Sequence, residues 1–500
     1  MVIAALGATA CQCPDAAPPP SILIVLWDTV RADRLSVYGA EVPTTPHLEA
    51  MAADSLVFEH AISPGMWTVP SHGSLFTGLP ASSHGARVGW LWLDGHHITL
   101  AEHLRDHGYA TYAWSANPYL SSATNLLQGF ETQHVTWQPP DRERAEAVTR
   151  AKLLEADQST SIAPGWKGRE SGWPQTFTLV KDAGPVAADG LLGFVDELTT
   201  DQPFFAYVNL LEAHHPRIPS APSRAAVADP PVVERALATD QSLFRLMAAM
   251  EGRAHLDGPD HEALRATYDA TLRDLDAVTE QIVAGLADRR RLDSTIVVVV
   301  SDHGEHLGEA GRYDHRWSVD QELLHVPLIV RWPARLAPRR DPRPVSTRGL
   351  MGSLLRWAGV PAPTSNPPEL FEAPVFSELV RPTPRLPAIR EAFPDLPSGR
   401  WAAKYRVWIE DDAKLVQRDD GATRLYRLRG PGRPEARPVR DVQRSQAMLA
   451  RLRAFDRGRP KYDPSLRTAE DRPGRPLAAD PALVEQLRQL GYTEPLEEVP

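Results

Sequence analysis

The sequence predicts an α/β fold in which a mainly parallel central sheet is flanked by helices and followed by a small antiparallel sheet near the C-terminus. Three observations support this prediction. Several continuous apolar runs are rich in β-branched residues, stripes of helical spacing lie between them, and short segments after residue 400 alternate apolar and polar side chains. Continuous apolar runs are typical of strands buried on both faces, and their alternation with helices is typical of a mainly parallel sheet.

The strands of the central sheet are predicted from five apolar runs. They lie at residues 21–27, 109–116, 204–211, 295–301 and 326–332. The last run contains Pro327, which cannot donate a backbone hydrogen bond, so we expect it near a sheet edge or at a strand start.

Helices are predicted where apolar residues recur every three or four positions. Residues 47–55 and 262–289 each carry such a stripe, and another helical run follows Trp67. Residues 482–490 form a last predicted helix, which Gly491 ends.

Beyond about residue 340 the pattern weakens. Residues 335–343 and 361–368 are rich in Pro and Arg and are interpreted as linkers. Three later segments alternate apolar and polar residues around Asp419-Asp420-Gly421, which predicts a small antiparallel sheet with a tight turn. These segments are 405–409, 413–418 and 423–428.

The composition excludes several classes of protein. The 500-residue chain has 54 Lys and Arg against 64 Asp and Glu, a formal net charge of −10, which argues against a nucleic-acid-binding protein. Its two cysteines, Cys11 and Cys13, can build neither a disulfide framework nor a Cys-based zinc site. No apolar run approaches the ~18 residues that a membrane span requires.

The N-terminus has the composition of a leader. Residues 1–10 are small and apolar and precede Cys11, which resembles the end of a secretory signal peptide at a lipid-modified cysteine. The alternative is a leader that stays unprocessed. On the first interpretation we expect an extracytoplasmic protein, in the periplasm or held at a membrane by an N-terminal lipid anchor.

Polar side chains follow three of the predicted strands. Asp28 follows the first run, Asp302 and His303 follow the run at 295–301, and His214 lies just beyond another. The carboxyl ends of parallel strands meet at one edge of a sheet, where ligands bind in such folds. A buried carboxylate needs a cation or hydrogen-bond donors, and Asp with His suits Zn, Mn or a related divalent ion. The alternative for Asp28 is a helix N-cap.

Hydroxyl and imidazole groups stand at the start of the helical run after Trp67. Thr68, Ser71 and His72 lie where backbone N–H groups favour an anion, so a hydroxyl there can serve as a nucleophile. The alternative is that Thr68 or Ser71 caps the helix. His315 lies in a predicted loop, where single histidines are usually solvated.

These residues belong to a series of segments that resembles the sulfatase family, a branch of the alkaline phosphatase superfamily. In family order, the segments are Asp28–Gly39 (DTVRADRLSVYG), Pro43–Pro46 (PTTP), Ser71–Gly78 (SHGSLFTG), Asp302–Glu305 (DHGE), Glu322–Trp332 (ELLHVPLIVRW) and Leu490–Tyr492 (LGY). The resemblance covers roughly residues 21–335 and implies a sulfatase-like catalytic domain over residues 21–340. Residues 1–20 are then a leader and linker, and residues 341–500 a Pro/Arg-rich linker with a C-terminal α+β subdomain.

The resemblance also implies a set of functional residues. One divalent metal ion would be held by Asp28, Asp302 and His303, with Zn or Mn favoured and Ca or Mg as the alternative. His214 and His315 match imidazoles that stabilise the oxyanion or protonate the leaving group.

The sequence departs from the family at the nucleophile. Sulfatases oxidise the Cys or Ser of a C/S-x-P-x-R motif to formylglycine, whereas this motif reads Thr68-Val69-Pro70-Ser71-His72. Because Thr is a secondary alcohol, it does not give the aldehyde by that route, and no formylglycine is expected. His72 replaces the Arg of the motif and is a candidate catalytic residue. The set of Thr, two Asp and His resembles phospho-transferring relatives, which use Thr directly on a metal ion.

The sequence therefore predicts a metal-dependent hydrolase that cleaves phosphate, phosphonate or sulfate esters through a metal-activated Thr68. One alternative is a true sulfatase that works without formylglycine. A second is a catalytically silent homologue that binds an anionic glycan or lipid headgroup. The expected partner is a small-molecule, glycan or lipid-headgroup ester, and no nucleic acid is expected.

Overall fold

The computed structural model describes residues 19–87, 90–159, 180–239, 241, 243–380, 402–428, 437–468 and 471. The lipid-anchor site at Cys11 and the last predicted helix at 482–490 lie outside the described residues. Within the described residues, no helix is both long and apolar enough to cross a membrane.

The strands of the described ranges form two larger sheets and one short two-stranded pair. They are β1 (Ser21–Trp27), β2 (Ser55–Ile62), β3 (Ala110–Ser115), β4 (Thr132–Val135), β5 (Phe204–Leu210), β6 (Thr295–Val300), β7 (His306–Leu307), β8 (Tyr313–Asp314), β9 (His325–Val326), β10 (Leu328–Arg331), β11 (Arg339–Ser346), β12 (Val375–Leu379), β13 (Tyr405–Glu410), β14 (Ala413–Arg418) and β15 (Thr423–Arg427).

The central sheet has the strand order β11-β2-β10-β6-β1-β5-β3-β4, and β9 pairs with β2. β1 pairs in parallel with both β5 and β6, and β3 pairs in parallel with β4 and β5. Every residue of β1, β5 and β6 is buried, because helices cover both faces of the sheet there. The predicted mainly parallel sheet is confirmed.

The predicted strand at 326–332 is divided by Pro327 into β9 and β10. β10 begins directly after the proline, as predicted for a strand start. It lies between β2 and β6 and runs antiparallel to both, so the alternative edge position is wrong. The proline is tolerated because it stands at the junction, outside the regular pairing of either segment.

The interpretation of residues 335–343 as a linker is wrong for their second half. Arg339–Ser346 forms β11, an edge strand of the central sheet that runs parallel to β2. Its outer side has no partner strand within the described part of the chain, so Pro342 and Pro344 can be accommodated there. The boundary predicted between residues 340 and 341 falls inside this strand.

The predicted helices at 47–55 and 262–289 correspond to α1 and α10, and the run after Trp67 is α2. The helices of the described ranges are α1 (Pro46–Ala52), α2 (Thr68–Thr77), α3 (Ala81–His84), α4 (Leu100–Arg105), α5 (Asp141–Ser159), α6 (Gly184–Glu197), α7 (Ala221–Val227), α8 (Pro230–Ala238), α9 (Leu243–Met250), α10 (Gly258–Asp288), α11 (Gln321–Leu324), α12 (Leu350–Ala358) and α13 (Val442–Gly458).

Helix α2 is the element that brings the hydroxyl cluster into the core. Thr68 is its first residue, and all its residues are buried. Pro70 stands in the first turn, where its missing N–H costs no intrahelical hydrogen bond. Gly78 ends the helix with a φ of 71°, a left-handed conformation that favours glycine.

The small antiparallel sheet has the order β12-β13-β14-β15, one strand more than predicted. Gly421, with a φ of 87°, stands in the predicted turn between β14 and β15. One face of this sheet packs on α13 through Leu415 and Leu452. The other face packs on the larger domain through Val407 and Val416.

Candidate active site

Asp28, Asp302 and His303 converge at the carboxyl edge of the central sheet. Asp28 directly follows β1, and Asp302 lies two residues beyond β6. These strands are parallel neighbours, so both carboxylates reach the same edge. One potential ligand atom from each of the three residues lies within 4.8 Å of the others, and all three side chains are buried.

The Asp28 carboxylate is held by two amides. Asn117 donates to Asp28 Oδ2 at 2.7 Å, and Asn209 donates to the same oxygen at 3.4 Å. Asp28 Oδ1 accepts no hydrogen bond within the described part of the chain. Burial raises the pKa of Asp28 to about 6, although the Asn117 amide acts to lower it.

Asp302 and His303 direct toward each other two atoms that can only accept hydrogen bonds. Asp302 Oδ1 accepts from the backbone N–H groups of His303 at 2.9 Å and Thr29 at 3.3 Å. His303 Nδ1 is 2.9 Å from the carbonyl oxygen of Gly304, so it carries the proton and Nε2 has the lone pair. Asp302 Oδ2 and His303 Nε2 lie 3.3 Å apart, and neither has a hydrogen bond within the described residues.

This arrangement fits a divalent cation. Burial and the nearby Asp28 raise the pKa of Asp302 well above its ordinary value, and burial lowers the pKa of His303 well below its own. Two buried carboxylates and a neutral imidazole thus present unpartnered lone pairs to one point. A divalent cation would satisfy all three.

Thr68 belongs to the same site. Its side chain is buried, and its Oγ1 accepts from the Asn117 amide nitrogen at 3.3 Å. The same nitrogen therefore contacts both the Asp28 carboxylate and the Thr68 hydroxyl. Asn117 was missed in the sequence, where no motif marks it. Its position directly beyond the predicted strand at 109–116 is the signal that points to it.

His72 lies within the site, but both of its ring nitrogens form hydrogen bonds inside the protein. Nδ1 donates to the Thr68 carbonyl oxygen at 2.8 Å, and Nε2 accepts from the Tyr207 hydroxyl at 2.7 Å. Burial lowers the pKa of His72 to about 4, so the ring is neutral at pH 7. Nδ1 is 3.6 Å from Asp302 Oδ2. His72 thus supports the first turn of α2 rather than approaching the Thr68 hydroxyl.

The other two predicted histidines lie near the triad of Asp28, Asp302 and His303 and are buried. The ring centroid of His315 is 4.4 Å from that of His303 and 5.4 Å from that of His214. His315 Nδ1 is 3.0 Å from an oxygen of Asp314 and 3.4 Å from one of Glu305. Its Nε2 has no hydrogen-bond partner among the described residues.

The pKa values of the two imidazoles are shifted in opposite directions. Burial acts to lower the pKa of His315, but the carboxylates of Asp314 and Glu305 outweigh it and raise that pKa above its ordinary value. Burial lowers the pKa of His214 well below its ordinary value. His315 is therefore the better proton donor of the two.

Unusual backbone conformations flank the site. Thr29, Asp314 and Arg316 have φ values of 62°, 64° and 84°, which are rare for residues with a side chain. Such conformations cost about 1–3 kcal/mol each and concentrate at functional sites. The Arg316 guanidinium is buried, and its central carbon lies 5.3 Å from the centre of the Trp67 ring, next to Thr68 in the chain.

A mainly parallel sheet that presents a buried Asp, Asp and His triad beside a helix-terminal hydroxyl defines a member of the alkaline phosphatase superfamily. The sequence model of the sulfatase family matches residues 20–360, which is more than half of the chain. The chain belongs to the sulfatase family, and it is a hydrolase that acts on ester bonds.

Named relatives are similar over most of the chain. The ulvan-active sulfatase of Formosa agariphila is 26% identical over 389 residues, covering 75% of this chain and 67% of the relative. The multifunctional alkaline phosphatase superfamily protein PehA of Trinickia caryophylli is 24% identical, covering 69% of this chain and 74% of the relative. The structure of the phosphonate monoester hydrolase SpPMH from Silicibacter pomeroyi aligns with a TM-score of 0.59 at 21% identity, covering 88% and 94% of the two chains.

Proposed function

We propose that the protein is a metal-dependent hydrolase that cleaves phosphate or phosphonate esters with Thr68 as the nucleophile. The observation that carries this proposal is the Asn117 amide, which joins the metal carboxylate Asp28 to the Thr68 hydroxyl through one nitrogen atom. A hydroxyl oriented in this way against a cation site is placed for attack on an ester.

The metal would be held by Asp28, Asp302 and His303, and it would supply charge neutralisation and a lowered pKa for the Thr68 hydroxyl. The Asn117 N–H group contacts both the Thr68 oxygen and the Asp28 carboxylate, so it would hold the hydroxyl beside the bound metal. Because Thr68 is fully buried, a substrate ester bound at its hydroxyl would meet it without a competing hydration shell.

The proposed reaction has two covalent steps, and residues of this chain take part in both. Thr68 Oγ1, as the alkoxide, forms a bond to phosphorus while the bond to the leaving oxygen breaks, and His315 gives that oxygen a proton. A water then gives a proton back to neutral His315, and the hydroxide attacks phosphorus and releases the Thr68 alkoxide. The net reaction is ester plus water, which yields the alcohol and the free acid.

Two relatives support the choice of substrate. The phosphonate monoester hydrolase shares the fold, and PehA is described as multifunctional within the superfamily. Phosphoryl groups interact strongly with a metal and with cationic donors, so a plain threonine suffices for them. A sulfate ester is the second candidate, because the ulvan-active sulfatase is similar over 75% of this chain.

The experiment compares matched aryl phosphonate, phosphodiester and sulfate esters, together with the metal content of the purified protein. Thr68→Ala is expected to abolish turnover and keep the metal, while Thr68→Ser retains the nucleophile and most of the activity. Mass spectrometry of acid-quenched protein should find a phosphoryl group on Thr68. Full activity of Thr68→Ala would overturn the proposal, and exclusive sulfate turnover would favour the second candidate.

A further inference from the structure

A buried ammonium group lies beside the turn that carries His214. Lys181 stands three residues before helix α6, and its side chain is fully buried. Its Nζ donates to Asp182 Oδ1 at 3.2 Å and to the backbone carbonyl oxygens of Leu211 and Glu212, each at 3.1 Å. Burial lowers the pKa of Lys181, because an ammonium group is costly to remove from water. Two of these three hydrogen bonds link the ammonium to a distant segment of the chain.

That segment is the turn between β5 and His214. β5 ends at Leu210, and the backbone N–H of His214 donates to the Leu211 carbonyl oxygen at 3.1 Å. The same oxygen therefore accepts from both His214 and Lys181. His214 Nδ1 donates to the carbonyl oxygen of His215 at 2.6 Å. The position of the imidazole thus follows from the backbone of the turn, which Lys181 holds.

The side chain of Glu212 ties the same turn to helix α6. Its Oε1 accepts from the backbone N–H of Gly184, the first residue of α6, at 2.9 Å. A Cβ at Gly184 would lie 2.9 Å from that oxygen and 2.5 Å from Val278, so the start of α6 packs closely against the turn. Residues 181–184 therefore hold the turn through both a backbone and a side-chain contact.

A second ammonium group, that of Lys152, shares the charge environment of Lys181 but not its contacts. Burial raises the pKa values of Asp182 and Glu212, and both lysines act to lower them. Lys152 Nζ pairs with Asp274 at 2.8 Å, and within the described residues it makes no hydrogen bond to the turn. The two lysines therefore allow the effect of charge to be separated from the effect of contact.

His214 connects the turn to the proposed proton donor. Its ring stands edge-on to the ring of His315, with 5.4 Å between the centroids and 66° between the planes. The His315 ring also lies 4.4 Å from that of the metal ligand His303. A misplacement of about 1 Å in a reacting group can cost about 10²-fold in rate, so a shift of His214 would disturb proton transfer from His315.

We propose that Lys181 is a positioning residue of the active site, which holds His214 against His315 through the carbonyl groups of the turn. The proposal rests on the function proposed above, in which His315 protonates the leaving group. It assigns Lys181 no contact with the substrate. Loss of Lys181 should therefore slow hydrolysis most where the leaving group needs a proton.

The experiment compares Lys181→Met with the wild type, both full-length and metal-loaded, on phenyl and 4-nitrophenyl esters of the ester class that the wild type hydrolyses. Because 4-nitrophenolate leaves without a proton and phenolate does not, the ratio of the two kcat/KM values reports on the proton donor. Lys181→Met is expected to lower kcat/KM for the phenyl ester about tenfold more than for the 4-nitrophenyl ester. A purely structural loss would lower both values equally.

Lys152→Met is the matched control, because it removes the neighbouring ammonium without breaking a described hydrogen bond to the turn. It is expected to keep the wild-type ratio. In a His214→Ala background, Lys181→Met is expected to change the ratio no further, because both changes act through one imidazole. If Lys181→Met does not fold, Lys181→Met/Asp182→Asn takes its place, since it removes the ammonium and its carboxylate partner together.

A wild-type ratio in the folded, metal-loaded variant would overturn the proposal. So would an undiminished effect of Lys181→Met in the His214→Ala background. A crystal structure of the variant tests the same point without turnover: the His214 ring is expected to be displaced from His315, and an unmoved ring would overturn the proposal. Failure of the Thr68 mechanism would instead appear as activity in Thr68→Ala, with the crystallographic result unchanged.

Discussion

Replacement of Asn117 by alanine tests whether one side chain couples the metal site to the nucleophile. The amide nitrogen donates to Asp28 at 2.7 Å and to Thr68 at 3.3 Å, and its own oxygen accepts from the backbone of Tyr119 at 3.0 Å. The first bond ends on a buried carboxylate and contributes about 1.5–3 kcal/mol, and the longer neutral bond adds about 1 kcal/mol. We expect the variant to lose about 3 kcal/mol of transition-state stabilisation, which is about 150-fold in kcat/KM.

The same change has a second effect on the metal. The Asn117 amide acts to lower the pKa of Asp28, so its removal raises that pKa above the present value of about 6. Since a proton then competes with the cation at neutral pH, metal affinity falls and is partly restored at higher pH.

The assay is kcat/KM for an aryl phosphonate ester at several pH values, with metal content measured on the same samples. Asn209→Ala is the control, because its amide lies 3.4 Å from the same Asp28 oxygen and is the more weakly placed donor. It is expected to cost less than tenfold. If Asn117→Ala retains kcat/KM within threefold and keeps its metal, the coupling argument is refuted.

Three further predictions follow from buried groups around the site. Metal affinity is expected to rise between about pH 5 and 7, because the Asp28 carboxyl, with a pKa of about 6, ionises in this range. A metal affinity that does not change with pH in equilibrium dialysis would contradict this prediction. Burial acts to raise the pKa of Glu309, but Arg31 outweighs burial and lowers that pKa from 4.5 to about 2. The ion pair between Glu309 and Arg31 therefore stabilises the fold above pH 4.5, and this stabilisation is lost as the pH falls toward 2. Glu309→Gln is therefore expected to reduce the free energy of unfolding by about 2 kcal/mol at pH 7, and this difference from the wild type is expected to shrink below pH 4.5. Denaturant titrations that show the same difference at every pH would contradict the prediction. Gly304→Ala is expected to destabilise the fold by about 3 kcal/mol or more, because the new Cβ would lie 1.9 Å from a backbone oxygen of Glu322. An unchanged melting temperature of the variant would refute this prediction.

The architecture of the central sheet could be predicted from the sequence because the apolar composition of its strands indicates that they are buried. The runs at 21–27, 204–211 and 295–301 are almost entirely apolar, and the structure buries all of their strands. Asp28 and Asp302 could be singled out for the same reason, since a carboxylate that ends a fully buried strand needs a partner.

The elements that were missed lack such a pattern. β11 is rich in Arg and Pro because it is an edge strand, and edge strands need neither continuous apolar residues nor every N–H group. Helix α13 is largely polar, since only one side of it packs on the small sheet. Asn117 acts through contacts with Asp28 and Thr68, which lie far from it in the chain, and no local pattern encodes such contacts.

The pairing of β1 with β6 sets a condition on biosynthesis. The carboxylates at their ends are separated by more than half of the chain, so the proposed metal site cannot form until residues beyond His303 have been synthesised and the intervening strand β5 and helix α10 have packed. Contacts of such high sequence separation form late and slowly, because a long loop must close before they stabilise anything. The proposed metal, once bound, would mark completed folding, and nascent or truncated chains that end before residue 300 could not compete for it at this site.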